Sequence, residues 1–383
     1  MKKIISLITV IFLLAGIFPK PVHAEELTLT AKSAVLIDSI SGEVICEKDP
    51  HAKMYPASMT KIMTMLLCME KLHSGELSLS DKITISPDAT KMGGTQLFLE
   101  TGEVRTVEDL LYGVAVESAN DAATALGIHI GGSIGGFADM MNKKAKELGM
   151  NDSNFVNACG LHEDEHYTSA YDMAILSKEL LKYEDIYTYI STWMKDVYIG
   201  KNNDILRRLA NTNKLLSRYE HIDGIKTGYT SQSGHCMSAT GKVGETRLIA
   251  VVMHSENSEK RFEDAIKLLD YGFSGYETVI PIKQDKVYAQ ADVINGSINR
   301  IGLAAAESFS LFGKKGKYND IKTQYDISRE IIYAPVKKGQ ILGMAKIYDG
   351  ETLLGEVELY AAEDITKCKL GDYIKRVKKI VLF

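Results

Sequence analysis

Three features of this 383-residue sequence predict an α+β fold: an antiparallel sheet with a helical cluster, followed by a small all-β domain. β-prone runs lie at both ends of the first 275 residues. Stripes of helical periodicity fill the stretch between them, and that order builds a sheet from distant segments. From about Glu277 the texture changes to short β-type runs divided by Gly and Asp-Gly turns.

The chain opens with an address. Lys2 and Lys3 precede Ile4 to Phe18, a run of apolar and small residues in which only Ser6 and Thr9 are polar. Pro19, Pro21 and the small Ala24 follow. This is the layout of a secretory signal peptide over residues 1–24, and the apolar run is short of the ~20 residues a membrane span needs. Export to the outer face of the cytoplasmic membrane or the cell wall is the expected location.

The domain expected over 25–275 begins with a hairpin. Ser33 to Ile37 is the first strand, Ser41-Gly42 the turn, and Glu43 to Cys46 the return. Pro56-Ala57-Ser58 then opens a helix whose Ile62, Met65, Leu66 and Met69 share a face, and Gly75 stops it. Thr106 and Asp109 have the spacing of a capping box ahead of Leu110, Leu111 and Val114. Phe137, Met140, Met141, Ala145 and Leu148 form another stripe closed by Gly149. Strands return at Gly234 to Ala239 and Arg247 to His254, about a turn at Gly241 to Gly244. A last helix runs from Lys260 to Tyr271, with Phe262, Ile266 and Leu269 on one side.

A small β-sandwich domain is expected over 276–365. Its strands are read at Lys286 to Val293, Ser308 to Leu311, Glu330 to Ala334, Gly343 to Tyr348 and Leu353 to Leu359. The tail, 366–383, differs again. Leu370, Tyr373, Ile374, Val377, Ile380 and Val381 fall on one helical face, among Lys367, Lys369, Lys375, Arg376, Lys378 and Lys379. A basic amphipathic helix of this kind lies on an anionic membrane surface.

Composition narrows the function classes. The formal charge is −5, and loss of the first 24 residues removes three lysines and no acid, leaving −8. An acidic mature protein argues against nucleic acid as a partner. The five cysteines, Cys46, Cys68, Cys159, Cys236 and Cys368, are odd in number and form no C-x-x-C pair. Buried inert thiols are expected rather than a metal site or a disulfide framework. No H-E-x-x-H occurs, so a zinc carboxypeptidase lacks its ligands, and neither metal nor cofactor is expected.

Three short motifs carry the chemistry. In Ser58-Met59-Thr60-Lys61, residues i and i+3 share a helical face, so the Lys amine reaches the Ser hydroxyl. A Ser hydroxyl is a weak nucleophile until a base takes its proton. A Lys serves as that base once burial or a nearby cation lowers its pKa. Ser118-Ala119-Asn120 and Lys226-Thr227-Gly228 follow downstream. Each motif alone is weak. Together, in this chain order, they match the signature set S-x-x-K, S-D-N and K-T-G of penicillin-binding proteins and class A β-lactamases.

On these residues the chain resembles the D-alanyl-D-alanine carboxypeptidases, the low-molecular-mass penicillin-binding proteins. The resemblance extends to Ala34 to Asp38, to Asp223 to Thr230 around the third motif, and to His166 to Met173. It implies a penicillin-binding transpeptidase-like domain, with the small β-domain as the membrane-side domain many members carry. It also implies roles. Ser58 attacks the carbonyl between the two D-alanines of a peptidoglycan stem peptide, and Lys61 takes its proton. Ser118 relays the proton to the leaving nitrogen, and Asn120 holds the substrate amide or Lys61. Lys226 adds a cation that helps keep Lys61 neutral and attracts the substrate carboxylate, to which Thr227 hydrogen-bonds. Gly228 belongs to the same motif. The backbone N–H groups of Ser58 and Tyr229 form the oxyanion hole. Arg261 supports carboxylate recognition, and β-lactams act as covalent inhibitors. His166 and His235 are read as structural.

Ala119 stands where the signature has Asp, and a small residue there fits the carboxypeptidases better than the lactamases. The rival readings are a β-lactamase, a D,D-endopeptidase with the same motifs, and an inactive peptidoglycan-binding scaffold. The E-x-x-L-N run expected of the lactamase deacylation loop is missing. The trailing β-domain favours the carboxypeptidase over the endopeptidase, and the three intact motifs argue against the scaffold.

Overall fold

The computed structural model describes residues 27–327, 331–369 and 371. The signal peptide expected over 1–24 lies outside these residues, as does the tail at 370 and 372–383.

The central sheet of the first domain draws strands from its two ends. β1 (Ser33–Asp38) and β2 (Val44–Lys48) form the opening hairpin. Two short ladders stand apart from the sheet. One pairs β3 (Lys82–Thr84) with β4 (Val104–Thr106), the other β5 (Met194–Ile199) with β6 (Ile205–Ala210). The sheet is completed by β7 (Ile222–Thr230), β8 (Gly234–Val243) and β9 (Thr246–Ser255). Its order is β2-β1-β9-β8-β7, antiparallel throughout.

Alternation along the strands explains the layers. In β9, Leu248, Ala250 and Val252 enter one apolar core, while Ile249, Val251 and Met253 enter another on the opposite face. β1 repeats this, with Ala34 and Leu36 on one side and Val35 and Ile37 on the other. Strands covered on both faces read as near-continuous apolar runs, which is how both appear in the sequence.

The larger core holds the helical cluster. α1 (Lys61–His73) is buried at every position from Lys61 to Met69, the mark of a helix surrounded by protein. Around it lie α2 (Val107–Tyr112), α3 (Asn120–Gly131), α4 (Ile134–Glu147) and α5 (Ala170–Leu180). α6 (Ser258–Gly275) covers the other face with Phe262, Ala265, Leu268 and Leu269. Thr106 caps α2 by accepting from Asp109 N at 3.1 Å, as its spacing predicts.

Strand β10 (Tyr276–Ile282) follows α6 directly and pairs with β13 (Phe309–Lys314). The remaining strands are β11 (Val287–Ile294), β12 (Arg300–Ala305), β14 (Ile321–Ile327), β15 (Ile332–Tyr333), β16 (Ile341–Asp349) and β17 (Thr352–Ala361). They form a six-stranded sheet in the order β14-β16-β17-β12-β11-β15, around a core that includes Ile282, Leu303, Ile347 and Leu359. Thr366 and Cys368 still belong to these contacts, since Ser297 N donates to Thr366 O and Cys368 N to Asn295 O, both at 2.8 Å.

Two expectations need correction. Ser58 does not open an α-helix: Ala57–Thr60 is a 3-10 turn, and Lys61 is the first residue of α1. The cysteines are all free, but only Cys68, Cys159 and Cys236 are buried. Cys46 and Cys368 are half-exposed because they lie near the surface, on an edge strand and past the last strand.

Candidate active site

The turn Pro56-Ala57-Ser58 is held in an unusual shape. Ala57 has a positive φ of 48°, a conformation that costs a non-glycine residue energy and persists where neighbours enforce it. Two glycines enforce it. A Cβ on Gly160 (φ +84°) would lie 1.8 Å from Ala57 O, and one on Gly228 would lie 2.8 Å from Pro56 O. Only glycine lets these two backbones close on the turn from both sides.

Lys61 is fully buried one turn on. Its Nζ lies 3.1 Å from Ser58 Oγ, 2.6 Å from Asn120 Oδ1 and 2.7 Å from the Cys159 carbonyl oxygen. The last two partners only accept here, because Asn120 Nδ2 donates separately to Gly93 O at 2.6 Å. A neutral amine has two N–H donors and one lone pair. In that neutral form, with Asn120 and Cys159 taking the two donors, the lone pair faces the Ser58 hydroxyl; the ammonium instead donates to Ser58 Oγ.

The second motif reaches this point through a change of helical pitch. α2 runs into a π turn, Gly113–Glu117, which ends at Ser118 in the left-handed region with φ 66°. Ala119 N donates to Gly113 O at 2.9 Å, and α3 starts at Asn120. Such wide turns recur at functional sites because they re-aim the residues that follow. Ser118 and Asn120 are both buried. Beside them, Asp121 accepts from Leu97 N and Leu99 N at 3.0 Å each.

The third motif lies on β7, the edge strand next to the Ser58 turn. Lys226 is buried and donates to Thr227 O at 3.1 Å. Thr227 Oγ1 donates to Thr212 Oγ1 at 2.7 Å. Tyr229 is exposed and stacks on His235, with ring centroids 4.3 Å apart. Arg261, near the start of α6, is buried behind the strands. It reaches Gly228 O at 3.3 Å, Cys236 O at 3.4 Å and Ser258 Oγ at 3.1 Å.

Burial dominates the electrostatics. It pulls the Lys61 ammonium down to about 8, against the upward pull of Cys159 and Asp121. It pulls Lys226 well below the ordinary lysine range, with the charges of Lys61 and Arg261 pushing the same way, and Arg261 down to about 10. Lys226 is expected to help keep Lys61 neutral, and burial is the first cause of the lowered Lys61 value.

The structure brings Ser58, Lys61 and Asn120 into direct hydrogen-bond contact, and sets Lys226, Thr227, Gly228 and Tyr229 on the adjacent strand. Sequence reasoning missed the Cys159 carbonyl, Asp121, Gly160 and Thr212. Asp121 adjoins the second motif and was within reach of that signal. The Cys159 contribution comes from its backbone, which no side-chain motif encodes.

Comparison with known proteins gives a consistent result. The profile described as D-alanyl-D-alanine carboxypeptidase matches residues 20–257, and that of the penicillin-binding protein 5 C-terminal domain matches residues 276–367. The chain is 41% identical over 383 residues to the D-alanyl-D-alanine carboxypeptidase DacF of Bacillus subtilis, with 98% of each chain covered. Among solved structures, penicillin-binding protein 5 from Haemophilus influenzae aligns with a TM-score of 0.67 at 30% identity, covering 92% of this chain and all of that one. Penicillin-binding protein D2 from Listeria monocytogenes, in its ampicillin-bound form, aligns with a TM-score of 0.58 at 32% identity, over 64% of this chain and 99% of that one.

Proposed function

This chain belongs to the D-alanyl-D-alanine carboxypeptidase family of serine peptidases, and on that premise we propose how its own residues carry the reaction. It is a D-Ala-D-Ala carboxypeptidase of the low-molecular-mass penicillin-binding proteins, acting on peptidoglycan stem peptides and acylated by β-lactams.

In the proposed mechanism Ser58 Oγ attacks the carbonyl between the two D-alanines while its proton passes to Lys61 Nζ. The oxyanion forms against the N–H groups of Ser58 and Tyr229. Ser118 relays the proton to the leaving nitrogen, the peptide bond breaks, and free D-alanine departs. The acyl-ester on Ser58 is then cut by water, which gives its OH to the peptide and returns a proton to Ser58. A β-lactam opens its ring amide in the same first step, but its leaving nitrogen stays tethered to the acyl group.

The substrate's free carboxylate has a place in the proton balance. Lys226, Thr227 and, from behind, Arg261 are the groups proposed to draw it in. An anion beside Lys226 favours the protonated form of that lysine. Its charge then discourages a proton on Lys61, so the base is neutral when substrate is bound.

The observation that carries this reading is the fully buried Lys61 amine, 3.1 Å from Ser58 Oγ, with its donors already committed. The test is release of D-alanine from a pentapeptide ending in D-Ala-D-Ala, with fluorescent penicillin labelling in parallel. Wild type should release D-alanine and take the label, and Ser58→Ala should do neither. Equal labelling of Ser58→Ala would move the nucleophile elsewhere.

Export through residues 1–24 and membrane association through the basic tail complete the proposal. No helix among the described residues is long and apolar enough to cross a membrane. Retention of the protein on anionic vesicles, lost when residues 370–383 are removed, tests the tail.

A further inference from the structure

Residues 153–168 link α4 to α5 without forming a helix or strand of their own, apart from two isolated bridges. This stretch supplies two carbonyls to α1. Cys159 O faces Lys61 Nζ at 2.7 Å, and Ala158 O accepts from Thr64 Oγ1 at 2.6 Å. Irregular buried backbone needs side chains to satisfy it. Asn157 does so locally: its Oδ1 accepts from Gly160 N at 2.7 Å and Cys159 N at 3.2 Å, and its Nδ2 donates to Leu161 O at 2.9 Å.

His166 joins this loop to the catalytic turn. Val156 N donates to His166 Nδ1 at 3.1 Å, so Nδ1 is the unprotonated nitrogen. Nε2 therefore carries the hydrogen and donates it to Thr60 Oγ1 at 2.7 Å. Thr60 lies between Ser58 and Lys61. The imidazole is buried, with Phe155 edge-on to it at 5.6 Å.

We propose that His166 is a positioning residue for the acylation step: it clamps the Cys159 loop to the Ser58 turn, closing water off from Lys61 and aiming its lone pair at Ser58. The clamp works only with neutral imidazole, because a proton on Nδ1 would face the Val156 N–H. Burial and the charges of His162 and Lys61 hold His166 down to about 4, so it stays neutral wherever Lys61 is active. The groups acting on Lys61 are Cys159 and Asp121, which favour its charged form, and Lys226, whose own proton its charge disfavours.

This inference rests on Ser58 and Lys61 being nucleophile and base, and the test separates the two claims. Penicillin acylation is followed against pH for wild type, His166→Ala and His166→Gln. The base reading requires wild-type acylation to rise through a midpoint near 8, and Ser58→Ala to stay unlabelled; failure of either refutes that reading first. The clamp predicts that His166→Ala acylates ~10 to 100-fold more slowly, as expected for a misplacement of about 1 Å. It also predicts a midpoint moved upward, since water reaching Lys61 removes the cause of its lowered pKa. Glutamine keeps an amide donor for Thr60 and should recover part of both effects. A slower His166→Ala with an unchanged midpoint, or no change at all, overturns the proposal. Should His166→Ala fail to fold, Thr60→Val removes the hydroxyl that accepts from Nε2 at nearly the same side-chain shape and must show the same upward midpoint; an unchanged midpoint there overturns it equally.

Discussion

Lys61 Nζ stands 3.1 Å from Ser58 Oγ, across the junction between a 3-10 turn and the α-helix that Lys61 begins. The junction sets a surface-type side chain at the buried head of a core helix, and desolvation lowers its pKa as the proposed role of base requires. Since the ammonium is pulled to about 8, acylation should climb with pH through that value and level off above it. Lys61→Arg keeps the charge but cannot release its proton. Its acylation rate should fall about a thousandfold across the whole profile, the scale of a lost general base. Stopped-flow penicillin acylation between pH 6 and 10 checks both statements.

Asn120→Asp keeps the oxygen that lies 2.6 Å from the same amine and replaces Nδ2, the donor to Gly93 O, with a second oxygen that brings a negative charge. A carboxylate there favours the ammonium, so the pKa of Lys61 should rise by roughly 1 to 3 units. Acylation at neutral pH then drops about tenfold per unit, while activity at pH 10 is better preserved. The same pH series reads the displaced midpoint. A uniform loss at every pH would mean Asn120 acts on the substrate rather than on Lys61.

The two-sided strands were legible because packing between two layers forces long apolar runs, as in Leu248 to Met253 and Ala34 to Ile37. α3 was not. Residues Asn120 to Gly127 are buried all round and rich in Ala, so no polar face alternates to reveal a helical period. The β5–β6 hairpin hid for the opposite reason. Met194, Tyr198 and Leu206 are exposed among Asp196 and Arg208, which blurs the inward alternation of Val197, Ile199 and Leu209. In the site, motifs revealed the groups that act through side chains. The Cys159 carbonyl escaped because every residue has one; only its direction matters, and that follows from a local backbone shape in which Asn157 Oδ1 accepts from Cys159 N and Gly160 N.

Gly160→Ala tests how tightly that loop is seated. The position has φ +84°, and the new Cβ would lie 1.8 Å from Ala57 O, a backbone atom with nowhere to go. Left-handed strain alone costs about 1 to 2 kcal/mol, and the collision adds to it by displacing the Ser58 turn. Denaturant unfolding should show a loss of roughly 3 kcal/mol or more, a size expected of backbone effects in a core. Penicillin labelling should fall with it. Gly75→Ala is the control, with φ +75° and open space around its Cβ. It should pay only the conformational cost of about 1 kcal/mol and label normally.

Acid should weaken the fold through His166. Its unfolded value is 6.5 and its folded value about 4, so the folded state binds fewer protons between them. A group depressed in this way contributes stability that is complete above the unfolded value and lost as pH falls through the folded one. The difference of about 2.5 units corresponds to ~3 kcal/mol, spread between pH 6.5 and 4. Carboxylates titrate toward the end of the same window, so the wild-type slope alone does not isolate the imidazole. The comparison with His166→Gln does, because glutamine has no proton to gain. The variant should start less stable at pH 7 and lose less on acidification, the two unfolding curves converging toward pH 4. Parallel curves would mean that burial and the charges of His162 and Lys61 do not hold the ring neutral, and the clamp, which requires a neutral imidazole, would fall with it.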